Sequence, residues 1–185
     1  MTQQHSLISR EGAKPKELVP FDRDGGDRKL LLPDQVQALV TWAERYDLDP
    51  WAGQVILYYG KPYVTERGAM AWARRHKEYR GHALSLVPPQ ECKAMGLGEQ
   101  DIVYRCEVFV AGLDRPVVEF GEVRWEEVQE AISKYKEDAY YLPIVKAPGK
   151  QARARAIRRA HLLAFPLGQE EPTPPEAPPQ PKPPA

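Results

Sequence analysis

Positive charge is concentrated in one short stretch near the end of the chain, QARARAIRRAHLLAF, at residues 151–165. The stretch holds four arginines and no acidic residue, although the 26 basic residues of the whole chain balance 26 acidic ones. An arginine presents a planar fork of N–H donors that matches two oxygens of a phosphate. Because the net charge is zero, only such a local concentration can indicate a polyanionic ligand. The stretch therefore predicts contacts to a phosphate backbone.

The same stretch has the spacing of a helix with two unlike faces. At about 100° per residue, Ala and Leu side chains cluster on one arc of residues 149–164. The opposite arc carries Lys150, Arg155, Arg158 and Arg159. Arg153 projects within or beside the apolar arc, and we expect it to reach a subunit contact or to extend past the core edge. Solvated helix faces usually mix both signs of charge, whereas acids such as Glu126, Glu127 and Glu130 lie elsewhere in the chain.

A second group of basic residues is interleaved with aromatic ones. Its basic members are Lys61, Arg67, Arg74, Arg75, Lys77 and Arg80, and its aromatic members are Tyr59, Tyr63, Trp72 and Tyr79. Rings beside cations can stack unpaired bases, at about 1–3 kcal/mol per base. Trp72 and one tyrosine are expected in the core, whereas Tyr63, near a predicted hairpin tip, is the better candidate for an exposed ring.

Residues that could support catalysis or bind a metal form no comparable pattern. Cys92 and Cys106 lie apart without a CxxC or Cys/His cluster, and are predicted to be buried, reduced thiols. The acids best suited to a Mg²⁺-dependent nuclease are Asp101, Glu107, Glu119 and Glu122. Glu119 and Glu122 are three residues apart on a predicted strand, so they point to opposite faces. Since no GxxxxGK[ST] loop is present either, we predict no catalytic residue, metal or cofactor.

The elements that position these residues follow from the periodicity of the apolar residues. They predict an α+β domain with a mainly antiparallel sheet, in the order α-ββ-α-βββ-α-α. A helix begins at Pro33, a hairpin turns at Gly60-Lys61 and a second helix follows Thr65. The later elements are the strands HALSLV, IVYRCEVFVAG and RPVVEFGEVR, the helix WEEVQEAISKYKED and the basic helix, with a loop at PPQECKAMGLGEQD and an irregular connector at YYLPIVKAPGK.

The folded unit is predicted to span residues 29–168, between two segments of different composition. Residues 1–28 are polar and contain Gly and Pro, which predicts a flexible arm. Residues 169–185 hold eight of the 19 prolines and are predicted to be disordered, as a solubilising tether or as a docking tail for a partner protein. Without a long apolar run or a signal-peptide pattern, the expected location is the cytoplasm.

One long segment, ERYDLDPWAGQVILYYGKPYVTERGAMAWARRHKEYRG at residues 44–81, carries an ordered set of motifs. A helix ends in a Leu-Asp-Pro-Trp turn, a hairpin follows, and a short helix begins at an acidic/Arg-Gly step. A YRG sequence then precedes a strand, and the basic helix later ends in Ala-Phe. Over about residues 33–168, this combination resembles the Red-beta/RecT superfamily of phage single-strand annealing proteins.

The resemblance implies a DNA recombinase that binds single-stranded DNA, anneals it to its complement without ATP, and assembles into rings or helical filaments. It places the DNA backbone in a basic groove between the hairpin and the late helix. Lys61, Lys150, Arg153 and Arg155 match basic positions of the family, while Tyr140 and Tyr141 lie near an aromatic position whose ungapped match is Ile144. The long C-terminal domain of the family has no counterpart, so the resemblance implies no partner that binds there.

Charge pattern and resemblance together predict ten DNA-binding residues. These are Lys61, Tyr63, Arg67, Arg74, Lys146, Lys150, Arg153, Arg155, Arg158 and Arg159. The expected partners are single-stranded DNA, its complementary strand, further copies of the chain, and a host or phage protein bound by the Pro-rich tail, all within a bacterial host cell. Two alternatives stay open: a protein-binding or regulatory module of a phage or plasmid that docks through this tail, and a Mg²⁺-dependent nuclease.

Overall fold

The computed structural model describes residues 21–24, 27–30, 33–58 and 60–168. The fold is α+β with mainly antiparallel sheets, which confirms the predicted class. Its elements are β1 (Phe21–Asp24), β2 (Asp27–Leu30), α1 (Pro33–Arg45), β3 (Val55–Tyr58), β4 (Lys61–Val64), α2 (Glu66–Ala73), β5 (Tyr79–Leu86), α3 (Pro89–Ala94), β6 (Ile102–Val110), β7 (Val117–Val123), α4 (Trp125–Tyr135), a 3₁₀ helix (Lys136–Tyr141), α5 (Pro143–Lys146) and α6 (Pro148–Ala164). Among the helices in these ranges, none has the length and apolar character needed to cross a membrane.

The hairpin of β1 and β2 was not predicted from the sequence. β1 pairs with β2 in antiparallel register and joins β3 in parallel at Asp22 and Leu57, giving a sheet of order β2-β1-β3-β4. The predicted boundary between arm and folded unit, at residue 29, therefore falls inside a strand, and residues 21–24 of the predicted arm are also strand residues. The remainder of that arm and the whole Pro-rich tail lie outside the described residues.

The hairpin of β3 and β4 has one face in the core of the first sheet. Val55 and Val64 are opposite each other in register, and both are buried against Leu39 of α1. The turn lies one residue earlier than predicted, because Lys61 is already a strand residue, paired with Tyr58. Gly60 in this turn has a φ of 72°, a left-handed conformation that glycine adopts without strain.

The second sheet has the order β5-β6-β7, is antiparallel throughout, and is covered by α6. The buried alanines Ala152, Ala156 and Ala160 pack α6 onto this sheet. The closest approach is at Gly121 of β7, where an added Cβ would lie 2.1 Å from the Ala152 carbonyl oxygen and 2.1 Å from the Ala156 nitrogen. Glycine at this position lets the helix backbone rest directly on the strand.

Short helices occupy two segments that were predicted to be irregular. The loop after β5 contains α3, and the connector contains the 3₁₀ helix and α5. Cys106 of β6 faces α6, so Val103, three residues earlier on β6, points to the opposite face of the sheet. Cys92 of α3 packs with Val103 on that opposite face. Both cysteines are buried and unpaired, as predicted. Burial raises the pKa of the Cys106 thiol to about 11.

A row of aromatic rings connects the core around Leu39, at the first sheet, with the core around Cys106, between the second sheet and α6. The successive rings are Trp42, Tyr46, Trp72, His76, Phe165 and Tyr79, with centroid separations between 4.7 and 6.1 Å. The indole nitrogen of Trp72 donates to the Phe165 carbonyl oxygen at 3.1 Å. Trp72 therefore has the predicted core role, and the row fixes α1 and α2 to the end of α6.

Candidate nucleic-acid interface

The hairpin meets α6 at Tyr63 and Val64. The Nε of Arg158 donates to the Val64 carbonyl oxygen at 2.6 Å, and its guanidinium carbon lies 4.2 Å from the centre of the Tyr63 ring. The Tyr58 ring lies 5.5 Å from that of Tyr63 on the same face of the hairpin. Lys61 belongs to this face as well, because residues two apart on a strand point the same way. The structure thus brings Tyr63 and Arg158 into contact and places Lys61 on the same face, and we call these three residues the hairpin surface. Lys61 is exposed, but Tyr63, which was expected to be an exposed ring, is half-buried.

Tyr58 was not singled out from the sequence, although a signal for it existed. In VILY, Val55 and Leu57 are buried, so Ile56 and Tyr58 belong to the other face, where the Tyr58 side chain is 43% exposed. All four residues of this strand are apolar, so the strand alone gave no alternation. The predicted hairpin was the available signal, because residues opposite each other on paired strands share a face, and it would have placed Tyr58 beside Tyr63.

Arg155 is held in an internal ion pair. Its two terminal nitrogens donate to the two carboxylate oxygens of Glu127 at 3.0 and 2.8 Å, and one of them also donates to the Glu122 carbonyl oxygen at 2.6 Å. The hydrogen bonds from Arg155 lower the pKa of the Glu127 carboxyl, and those to Glu127 raise the pKa of Arg155. The expectation that Glu127 lies apart from the basic helix was wrong, because its side chain, in the first turn of α4, reaches Arg155 of α6.

Arg159 has a related contact with β7. Arg159 donates to the Phe120 carbonyl oxygen at 2.8 Å. Arg155 donates to the carbonyl oxygen of Glu122, two residues further along β7. β7 is at one side of its sheet, and an edge strand presents backbone groups that lack a neighbouring strand. These arginines therefore supply hydrogen bonds that the edge would otherwise lack, besides carrying charge.

Seven of the ten predicted DNA-binding residues are exposed, and all of these except Arg159 have charged groups that make no ion pair or hydrogen bond within the described chain. The residues without such a contact are Lys61, Arg67, Arg74, Lys146, Lys150 and Arg153. Lys150 and Arg153 lie in the first two turns of α6, while Arg67 and Arg74 lie at the two ends of α2. A charge without an internal partner stays available to an external anion.

These cations do not all lie on one surface. Arg74 and Arg153 act on the same ring, His82 of β5, since their charges lower its pKa in addition to the main effect of burial. Around α6, Arg153 and Arg158 are about 140° apart. Arg153 is thus exposed on a side of the helix other than the hairpin surface, and no side-chain contact in the described ranges joins Arg67, Arg74 or Lys146 to that surface.

Another basic residue of the second group caps a helix. Arg75 donates to the carbonyl oxygens of Tyr46 and Asp47 just beyond α1, and its guanidinium lies 3.0 Å from the Asp47 carboxylate. The last carbonyls of a helix lack partners within it, so a cation here satisfies them. Arg75 therefore has a structural role.

Of the three residues at or near the aromatic position implied by the family resemblance, Tyr140 and Ile144 have different surroundings, and the side chain of Tyr141 lies outside the described part of the chain. Tyr140, in the 3₁₀ helix, is 66% exposed. Ile144 packs against the core formed by Val123 and Val128. Tyr140, rather than Ile144, is the residue that a ligand could reach.

The acids considered for a nuclease are dispersed. Asp101 accepts hydrogen bonds from the backbone nitrogens of Gly98 and Trp125, each at 2.8 Å, which is a capping role. Glu119 and Glu122 lie on opposite faces of β7, as predicted from their spacing. Among the described residues, no group of three or more His, Cys, Asp or Glu side chains could hold a metal ion.

No family model and no curated protein sequence matches the chain. The likeness to Red-beta/RecT proteins therefore depends on the motifs themselves, and the site is interpreted from its own geometry.

The Arg155–Glu127 pair leads to a stability prediction. We expect Arg155→Ala to lower the free energy of unfolding by about 1–2 kcal/mol at neutral pH, because it removes charge-assisted hydrogen bonds at a partly exposed site. Folding lowers the pKa of Glu127, so this contribution is present above its unfolded pKa and is lost as pH falls through the folded value. Urea unfolding of both proteins at neutral and acidic pH measures it.

Arg153→Ala is the matched control on the same helix, since Arg153 has no internal partner in the described chain. It should change stability by less than about 0.5 kcal/mol. Equal losses in the two variants would show that Arg155 contributes through charge alone and not through its contacts.

Proposed function

We propose that the protein binds single-stranded DNA and anneals it to its complement without ATP, acting as an oligomer in homologous recombination. The observation that carries this proposal is the hairpin surface, where the Arg158 guanidinium lies 4.2 Å from the Tyr63 ring centre with Lys61 on the same face. A ring supported by cations offers stacking for an unpaired base and neutralisation for its phosphate.

The chemistry of annealing suits a surface of this kind, because no covalent bond forms or breaks. Two strands repel each other, and basic side chains that bind phosphates release condensed counterions and reduce that repulsion. Contacts to the backbone leave the Watson–Crick edges of the bases free to pair. Binding is then independent of sequence, and repeated copies along a strand add affinity through multivalency.

The internal contacts of the arginines assign them different parts in this proposal. Arg155 directs both terminal nitrogens at Glu127, so we assign it to holding α6 in place. Arg158 and Arg159 each have one described hydrogen bond, and a guanidinium has five N–H donors, which leaves donors for a phosphate. Lys61, Lys150 and Arg153 are exposed and have no internal partner in the described ranges, so they are assigned to phosphate contacts.

An annealing assay tests the function directly. Two complementary oligonucleotides, one with a fluorophore and one with a quencher, are mixed with the full chain in the absence of nucleotide and metal. We expect faster duplex formation at about 50 mM salt and a weaker effect at about 200 mM, because phosphate binding is salt-dependent. The same assay with RNA oligonucleotides determines which nucleic acid is preferred.

Other outcomes would favour the alternatives. Unchanged annealing rates together with no oligonucleotide binding would contradict the proposal and favour a protein-binding module. Cleavage of the strands when Mg²⁺ is added would indicate a nuclease. Electron micrographs with and without oligonucleotide would show whether rings or filaments form.

A further inference from the structure

Two histidine rings meet between α6 and β5. His161 of α6 has no exposed surface, and the centre of its ring lies 4.8 Å from that of His82 in β5, edge to face. The Tyr79 hydroxyl oxygen lies 2.9 Å from Nδ1 of His82 and 3.4 Å from Nε2 of His161. Nδ1 of His161 lies 2.7 Å from the Ile157 carbonyl oxygen. These three side chains form one hydrogen-bonded group at the helix–sheet boundary.

Neutral rings satisfy the polar atoms of this group. The Ile157 carbonyl can only accept, so Nδ1 of His161 carries the proton and its Nε2 is an acceptor. The Tyr79 hydroxyl can then donate to that Nε2 while accepting from Nδ1 of His82. If both rings gained a second proton, Nδ1 of His82 and Nε2 of His161 would both be donors, and neither could accept the Tyr79 proton. Protonation of both rings therefore removes the acceptor of the Tyr79 hydroxyl and places two positive charges in the group.

The surroundings of the two rings are also unfavourable to positive charge. The charge of Arg74, at the end of α2, acts on both rings, Arg153 of α6 acts on His82, and His82 acts on His161. The Tyr79 hydroxyl contacts both rings, and Cys106 of β6 acts on Tyr79. The third histidine of the described chain, His76, is separated from Tyr79 by the Phe165 ring, which contacts both. No carboxylate of the described chain is among these groups. Burial is the largest cause that lowers the pKa of both His82 and His161, and the charge of Arg74 lowers each of them further.

We propose that His82 and His161 form an acid-sensitive latch, which holds α6 against β5 while both rings are neutral and releases it when they are protonated. The released or unfolded chain binds protons at about pH 6.5, the ordinary histidine value. Because the folded-state pKa lies below that value, stability is complete above about pH 6.5 and declines as pH falls beneath it. Each histidine whose pKa is lowered by folding reduces the folding equilibrium constant by up to about tenfold for every unit by which the pH falls.

This proposal does not depend on the identity of the ligand, but it affects every residue that α6 presents. Lys150, Arg153 and Arg158 lie on the helix that the latch holds. Acidification would displace these residues as one body, whereas a titrating surface charge would alter only its own position. The latch therefore predicts that a loss of structure accompanies any acid-dependent loss of binding.

Histidine titration and unfolding of the full-length chain test the latch. In the wild type, NMR should show His82 and His161 titrating below about pH 6.5. The urea midpoint should fall between about pH 7 and pH 5. In His82→Gln, the folding equilibrium constant should depend less steeply on pH, by up to about tenfold per pH unit. The pKa of His161 should rise in the same variant.

Tyr79→Phe is a second variant, which keeps the ring but removes the shared hydroxyl, and it should also shift both histidine pKa values. His5→Gln is the matched control for the loss of one imidazole. The proposal is overturned if His82 and His161 titrate at or above the ordinary value, or if His82→Gln retains the wild-type pH dependence. The wild-type titration decides the matter even if a variant does not fold. Failure of the annealing assay would leave these results unaffected.

Discussion

Gly121→Ala is expected to destabilise the protein by about 3 kcal/mol or more, as severe overpacking against a fixed backbone does. The added Cβ would lie 2.1 Å from the Ala152 carbonyl oxygen, 2.1 Å from the Ala156 nitrogen and 2.8 Å from the Ala156 Cα. All three atoms belong to the backbone of α6, so no side-chain rotation can relieve the contact. The helix must move away from β7 as a unit. Urea unfolding with a far-ultraviolet circular dichroism signal measures the loss.

Gly149→Ala is the matched control, because it makes the same chemical change within α6 itself. A Cβ at Gly149 meets no atom within 4 Å. Alanine favours a helix by up to about 1 kcal/mol relative to glycine, so this variant should be as stable as the wild type or slightly more so. Wild-type stability in Gly121→Ala would mean that α6 does not rest on β7 as described.

The double variant Lys150→Ala/Arg153→Ala is expected to bind single-stranded DNA about 25-fold more weakly at about 0.1 M salt. Each phosphate contact contributes about 0.7 to the slope of log affinity against log salt, which corresponds to about fivefold at that concentration. The slope should therefore decrease by about 1.4. Both side chains are exposed and have no internal partner in the described chain, so stability should not change. Fluorescence anisotropy with a labelled oligonucleotide over a salt series gives both quantities.

Lys93→Ala/Arg115→Ala removes the same two residue types from other exposed positions. Lys93 is on α3, which packs on the face of the second sheet opposite α6, and Arg115 is in the turn between β6 and β7. We expect this variant to retain wild-type affinity and salt slope. If both double variants weaken binding equally, the protein attracts DNA by overall charge, and the proposed interface is wrong.

The elements with regular apolar spacing could be predicted from the sequence. β6 alternates buried and less buried residues from Cys106 to Phe109, and α6 repeats its alanines at helical spacing, so each period occurs at least twice. The hairpin of β1 and β2 gave no such signal, because its strands have four residues each and include FDRD and DRKL. α3 and α5 are shorter than two helical turns, so a helical period could not be recognised in them.

The candidate interface was predicted in its residue types but not in its arrangement. Arg158 and Val64 are 94 residues apart, and their contact depends on how the first sheet packs beside α6. The same is true of Arg155 and Glu127, which are 28 residues apart and were treated as separate charges. A charge pattern identifies which side chains are cationic. Only the packing of the elements shows which of these cations are already used by the protein.

The contacts of Arg155 and Arg159 with β7 also bear on how copies of this chain could assemble. A strand from a second molecule could lengthen the sheet at this side only by displacing both guanidinium groups from the Glu122 and Phe120 carbonyls. Displacing Arg155 would also separate it from Glu127 and loosen the attachment of α4. Intermolecular β-pairing is thus disfavoured along β7, and a polymer of this protein would need to join its subunits through other surfaces.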